Sequence, residues 1–277
     1  MRTQDQSSPA APWWSLTKTA LAAGALALVA DGRLGLDAPV GEHPFTLRQL
    51  LQHTAGVSDY GGIAAYHEAV ARKEAPWSET ELQRRAGSDK SLFRPGFGWT
   101  YSNVGYLYVR RLIEDVAGEE VGAALHRLVF VPLGVPGVRL AREPWDLVDT
   151  AWGNAAGYHP GWVYHGLLVS TPAEAALFLD RLLTGDLLPA ALLNAMRGPR
   201  AVKVPGPGRP WRAPGYGLGL MIDSASPHGL CLGHTGEGPG SSAAAYHFPD
   251  LDPPRTAAVF AQVLDPAIVE RAVLDLL

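Results

Sequence analysis

From Thr19 to Ala30 the chain carries almost nothing but Ala, Leu, Gly and Val, and the run stops at Asp31-Gly32. Its length and its glycine stop predict a core helix with no polar face. The entrance is Ser15-Leu-Thr-Lys18. A helix begun there sets the Ser15 hydroxyl and the Lys18 amine on one face, about 5–6 Å apart. Residues 1–14 are polar and proline-rich, turn aromatic at Trp13-Trp14 and show no alternation, so they read as an irregular arm.

Downstream, Thr46 caps a short helical pattern, Leu47 to Gln52, stopped by His53-Thr-Ala-Gly56. Residues 57–77 hold a Gly-Gly turn and a weak helical patch, and Ser78-Glu-Thr-Glu81 is a capping-box start. A helical pattern runs from about Asn103 to Val116 and ends at Gly118, and a second runs from Val121 to Phe130. Residues 135–165 read as loop. Thr171, Pro172 and Glu174 mark the start of a helix reaching about Leu183. Residues 198–215 are rich in Pro and Gly and read as a linker or long loop.

After residue 215 the period changes. Tyr216–Ile222, Leu230–His234, Ser242–Phe248 and Thr256–Val263 are short runs between turns, read as consecutive antiparallel strands. A last amphipathic helix follows Asp265-Pro266, from Ala267 to Leu276. Helices followed by strands predict an α+β fold. The expected organisation is one domain over 1–277, mainly helical through residue 205, with antiparallel strands and a closing helix over 206–277.

Composition narrows the function classes. The 277 residues are 47% hydrophobic and 18% charged, with a formal net charge of −4 and no basic run, which argues against a nucleic-acid partner. The single cysteine, Cys231, leaves no internal disulfide framework and reads as core. A twelve-residue run is too short to span a bilayer, and only Arg2 is basic before Lys18, a poor n-region for a signal peptide. The chain as given is therefore expected in the cytoplasm; a start lying upstream would make export the expectation.

Three triplets carry the candidate chemistry: Ser15-x-x-Lys18, Tyr101-Ser-Asn103 and His234-Thr-Gly236. A serine hydroxyl is a poor nucleophile until a base takes its proton, and a partly buried lysine beside a phenol has a lowered pKa. Each residue also has a plain structural reading: Ser15 or Asn103 as a helix cap, Tyr101 in the core, His234 in a strand. His53-Thr-Ala-Gly56 mimics the third triplet but ends a helix and reads as structural. Nine histidines show no His-Glu-x-x-His and no Cys/His cluster, so neither metal nor cofactor is expected. Trp152 or Trp162 could wall a substrate cleft.

In order and context the triplets resemble the serine β-lactamase and penicillin-binding-protein family, especially class C β-lactamases, DD-carboxypeptidases and the related esterases and D-aminopeptidases. The resemblance extends to Thr46–Gly56, to Phe93-Arg-Pro-Gly with Tyr101–Tyr106, to Leu112-Ile-Glu with Gly118, and to Val131-Pro-Leu-Gly134, covering residues 13–277. It implies a serine hydrolase cleaving an ester or amide of a small molecule or peptide through an acyl-Ser15 intermediate. Lys18 would take the Ser15 proton, Tyr101 would relay it to the leaving group, and Asn103 would donate its amide to substrate or to Lys18. His234 stands where relatives often carry Lys. With Thr235 and Gly236 it would line the substrate, and the backbone N–H groups of Ser15 and Glu237 would form the oxyanion hole. The alternatives are a β-lactamase, or a non-catalytic member that binds a peptide or a partner chain.

In that family the nucleophile helix normally follows a terminal helix and two strands. Here fourteen residues precede Ser15, and none alternates like a strand. The sheet is thus expected from the C-terminal strands alone, with Thr256–Val263 as an open edge inviting a second copy of the chain. A start lying upstream, dimerisation through that edge and a decayed, inactive relative would each account for the difference.

Overall fold

The computed structural model describes residues 9–151, 157–203 and 208–277. Its axis is helix α1 (Thr17–Ala30), in which every residue from Thr17 to Leu28 is buried. A helix with apolar residues on all sides needs neighbours on all sides. They are α5 (Asn103–Ala117), α6 (Val121–Leu125) with the wider turn His126–Phe130 that continues it, and one face of the sheet. Helix α2 (Leu47–Leu51) packs on α5 and α7 (Pro172–Thr184) packs on the sheet; α3 (Ala64–Ala71), α4 (Glu79–Ala86) and α8 (Ala190–Arg197) are further helices preceding the main sheet. No helix among the described residues is long and apolar enough to cross a membrane.

The caps follow their local chemistry. Thr46 with Gln49 and Thr171 with Glu174 each form a reciprocal capping box. Ser102, not Asn103, caps α5: its hydroxyl accepts from the Gly105 N–H at 2.9 Å. The Asn103 side chain is thereby left available for other bonds.

The main sheet is a six-stranded antiparallel meander, β4 (Arg200–Ala201), β5 (Pro214–Tyr216), β6 (Met221–Ser226), β7 (Gly229–Gly238), β8 (Ser241–Phe248) and β9 (Arg255–Ala261), with neighbours in chain order. Helix α9 (Pro266–Asp275) covers one face and the helical lobe covers the other. Side chains sort accordingly along the strands: Leu232 and Ala245 join the large core around α1, whereas Cys231, Ala244, Tyr246 and Phe248 pack with Val269 and Val273 of α9. Covered on both faces, β8 is buried along its whole length. Strand β9 stands at the sheet edge, as expected.

Three segments read as irregular, the arm before Ser15, 135–165 and 198–215, hold short strands. Within 198–215, Arg200–Ala201 pairs with Gly215–Tyr216, so the main sheet begins before residue 206. Such short strands at a sheet end tolerate the Pro and Gly that hid them. A second sheet joins β1 (Ala11–Pro12), β3 (Leu167–Ser170) and β2 (Arg139–Ala141) in the order β1-β3-β2. The arm before Ser15 therefore does contain a strand, with Ala11 opposite Ser170 and Pro12 opposite Val169. Two residues cannot display a period of two, which is why no alternation marks it.

Candidate active site

Pairing of β1 with β3 delivers the chain to Ser15. The Trp13 N–H donates to the Leu168 carbonyl at 2.8 Å, and the Leu168 N–H donates to the Thr17 hydroxyl at 3.2 Å. Trp14 to Leu16 then form a tight 3-10 turn into α1, with Trp14 at φ +47°. A bulky residue in that region costs about 1–3 kcal/mol. The conformation is held by the Trp14 indole N–H, which donates to Ser241 Oγ at 2.9 Å, and by the edge-to-face contact of its ring with Tyr158 at 5.4 Å.

Lys18 is fully buried. Its Nζ donates to Ser15 Oγ at 3.1 Å and to Asn103 Oδ1 at 2.7 Å, and lies 3.2 Å from His165 Nε2. The Tyr101 ring centroid is 4.9 Å away. Burial lowers the Lys18 pKa from 10.5 to about 7, against the opposing pull of the Asp59 carboxylate. Asp59 also fixes Asn103: its Oδ1 accepts the Asn103 backbone N–H at 2.8 Å and its Oδ2 accepts the side-chain amide at 3.3 Å. One amide N–H is thus bonded to Asp59 and the amide oxygen faces Lys18. Of the two roles expected for the Asn103 amide, donation to substrate or to Lys18, the second is replaced: Nζ donates to the amide oxygen instead. Burial raises the Tyr101 pKa, partly offset by the nearby Ser15 hydroxyl.

Alternation along β7 divides the third motif. His234 and Gly236 face the Ser15 turn, while Thr235 and Glu237 face α9. A Cβ on Gly236 would lie 2.1 Å from the Trp13 carbonyl oxygen and 2.8 Å from the Ser15 nitrogen, so only glycine lets the strand approach the turn. His234 is fully buried; Nδ1 meets the Thr235 carbonyl at 2.7 Å and Nε2 meets the Tyr216 hydroxyl at 2.8 Å. Since a carbonyl only accepts, Nδ1 carries the proton and Nε2 accepts from Tyr216. Burial pushes the His234 pKa down to about 3, so the ring is neutral. It holds the strand from beneath and offers no charge to a ligand. The Thr235 hydroxyl bonds Glu270 Oε1 and the Tyr246 hydroxyl, each at 2.7 Å, on the far face of the sheet. Beyond Gly233, β7 keeps β8 on one side but has lost β6 on the other, leaving an open backbone edge beside Ser15.

His53 lies under this arrangement. Its Nδ1 accepts the Ser102 N–H at 3.1 Å, and its ring stands 4.3 Å from that of Tyr101. Trp162 is buried among Tyr66, Trp77 and Tyr164, with its indole N–H on the Glu74 carbonyl, and it also lines a cavity with Tyr158 and His159. Trp152 lies outside the described residues. Among the described residues no group of three or more His, Cys, Asp or Glu could hold a metal ion.

Asp59, His165 and Tyr216 were not legible as site residues. Asp59 is 44 positions from Asn103, and His165 is 147 from Lys18. The one local hint at His165 is a polar residue inside the apolar string Trp162-Val-Tyr-His-Gly-Leu-Leu168.

Comparison with known proteins identifies the family and the fold. A family model described as "Beta-lactamase" matches residues 10–274. Esterase EstB of Burkholderia gladioli is 31% identical over 141 residues, 44% of this chain and 36% of that protein. Penicillin-binding protein 4* of Bacillus subtilis (strain 168) is 29% identical over 133 residues, 46% of this chain and 29% of that protein. These alignments span about a third of the curated relatives' length. The crystal structure of a D-stereospecific amidohydrolase from Streptomyces sp. superposes with a TM-score of 0.78 at 27% identity, covering 96% of this chain and 86% of that one. With the family match spanning nearly every residue and the fold following it, the chain belongs to the β-lactamase family.

Proposed function

We propose that this protein is a serine hydrolase that cleaves an ester or amide bond of a small molecule or peptide through an acyl-Ser15 intermediate. The observation that carries the reading is the fully buried Lys18, with Nζ 3.1 Å from Ser15 Oγ and its pKa brought to about 7. A base with that pKa is half deprotonated at neutral pH and lies on the hydroxyl it must activate. In acylation the Ser15 proton passes to the Lys18 lone pair as Oγ bonds the substrate carbonyl carbon. The displaced carbonyl electrons become an oxyanion held by the backbone N–H groups of Ser15 and Glu237. Collapse expels the alcohol or amine, which receives the proton through Tyr101, a phenol kept protonated by its surroundings. Water then attacks the acyl-enzyme, with the same groups handling its proton.

Within this class we favour esterase, D-aminopeptidase or DD-peptidase-like activity over β-lactam hydrolysis. The His234 imidazole is neutral and fully buried, so it cannot attract a carboxylate as an ammonium would. The open edge of β7 suits an extended acyl chain paired to the strand. The names of the esterase and the D-stereospecific amidohydrolase point to the same pair of chemistries. Turnover of a p-nitrophenyl ester beside nitrocefin tests this: ester cleavage is expected to dominate and to vanish in Ser15→Ala. Preferred hydrolysis of nitrocefin would favour the β-lactamase reading. Absence of acylation in folded protein would favour the non-catalytic one.

A further inference from the structure

His165 is fully enclosed beside Lys18, and the mechanism above gives it no task. It follows the turn Pro160–Trp162, and Gly166, at φ +98°, turns the chain from it into β3. Because β3 pairs with the arm that carries Ser15, the imidazole is brought against Lys18. Its Nε2 lies 3.2 Å from Lys18 Nζ, while Nδ1 is buried with no hydrogen-bond partner.

We propose that His165 is a positioning residue that aims the Lys18 lone pair at Ser15. A neutral amine has two N–H bonds and one lone pair. The three atoms within hydrogen-bond distance of Nζ are Ser15 Oγ, Asn103 Oδ1 and His165 Nε2. Asn103 presents its oxygen to Nζ, with its amide nitrogen turned to Asp59. If His165 Nε2 also accepts, both amine hydrogens are taken and the lone pair falls on the Ser15 hydroxyl. Were His165 to donate instead, it would consume that lone pair, so the reading requires the proton on Nδ1. The ring stays neutral, burial and the Lys18 charge holding its pKa well below the usual value against the opposing pull of the Trp14 backbone. Once Lys18 becomes an ammonium, the same three acceptors satisfy its three hydrogens, so His165 serves both states without moving.

This inference rests on the acyl-Ser15 reading, and the experiment separates the two. The rate of covalent labelling by a fluorophosphonate is measured across pH for the wild type, His165→Leu and His165→Gln, with Ser15→Ala as control and thermal melting as a check on folding. H165L fills the space without an acceptor; H165Q returns an amide oxygen near the Nε2 position. H165L is expected to label about 10- to 100-fold more slowly, and H165Q to recover most of the rate. The acid limb of H165L should move to lower pH, since an acceptor that favoured the ammonium is gone. The other titratable groups around Lys18 are Asp59, Tyr101, Tyr106, His53 and His234, unchanged in every variant. Labelling of H165L at the wild-type rate, or equal slowing in H165L and H165Q, would overturn the assignment. Labelling that persists in S15A would instead remove the acyl-Ser15 reading. Should H165L not fold, His165→Asn replaces it, because its shorter amide does not reach Nζ and the same comparison with H165Q applies.

Discussion

Lys18 concentrates the chemistry in one side chain. Burial makes it a base near neutrality, and its neighbours decide where its lone pair points. Activity requires the amine, so kcat/KM is expected to rise with pH through about 7 as Lys18 loses its proton. Asp59 opposes that loss and also orients Asn103. Asp59→Asn should therefore lower kcat/KM by about 10- to 100-fold and shift the acid limb to lower pH. A pH–rate profile checks both, and an unmoved limb would show that Asp59 does not govern Lys18. Asn103 illustrates what a string of letters conceals. Its presence beside Tyr101 was legible, but the sense of its hydrogen bond was not, because Asp59 reaches it from a loop 44 residues away.

At the scale of elements, the site is a contact between the turn Trp14–Leu16 and strand β7. Gly236→Ala tests that contact. Its methyl group would meet the Trp13 carbonyl and the Ser15 nitrogen, backbone atoms that cannot rotate aside. The variant should lose acylation by about 100-fold or more, while far-UV circular dichroism keeps the wild-type shape; near-normal labelling would mean that the strand tolerates a shift. The elements themselves were unevenly legible. Long patterns such as α1, α5 and α7 appear within a residue or two of where capping and apolar spacing put them. Strands β1, β2 and β4 are two or three residues long, so no period could mark them. Yet β1 with β3 brings His165 to Lys18. His165 went unread because the pairing that delivers it is too short to leave a pattern, whereas Asp59 comes from a loop.

For the whole molecule, a central helix wrapped by protein on every side carries a cost in buried titratable groups. His53, His165 and His234 are all buried with pKa values held below 6.5, His234 at about 3. Between those values the unfolded chain binds protons that the folded chain refuses, so stability rises with pH across this window. The melting temperature is expected to climb from about pH 3 to 6.5. Lys18 acts with the same sign from about 7 to 10.5, and Lys18→Met should abolish that second increment. Differential scanning calorimetry over pH checks both, and a flat profile would contradict the buried, neutral state of these side chains. The fold class and the three motifs were legible because each motif is a contiguous triplet or tetrad and because the change from helix to strand period is abrupt after residue 215. The second sheet and the shared environment of Lys18 exist only once the chain has closed on itself.

The central claim is that Ser15 is acylated. Intact-mass and peptide mass spectrometry after incubation with a fluorophosphonate tests it most directly. One adduct, located on the peptide bearing Ser15 and absent from folded Ser15→Ala, is the predicted result. An adduct that survives in Ser15→Ala, or a folded wild type that takes none, would contradict it.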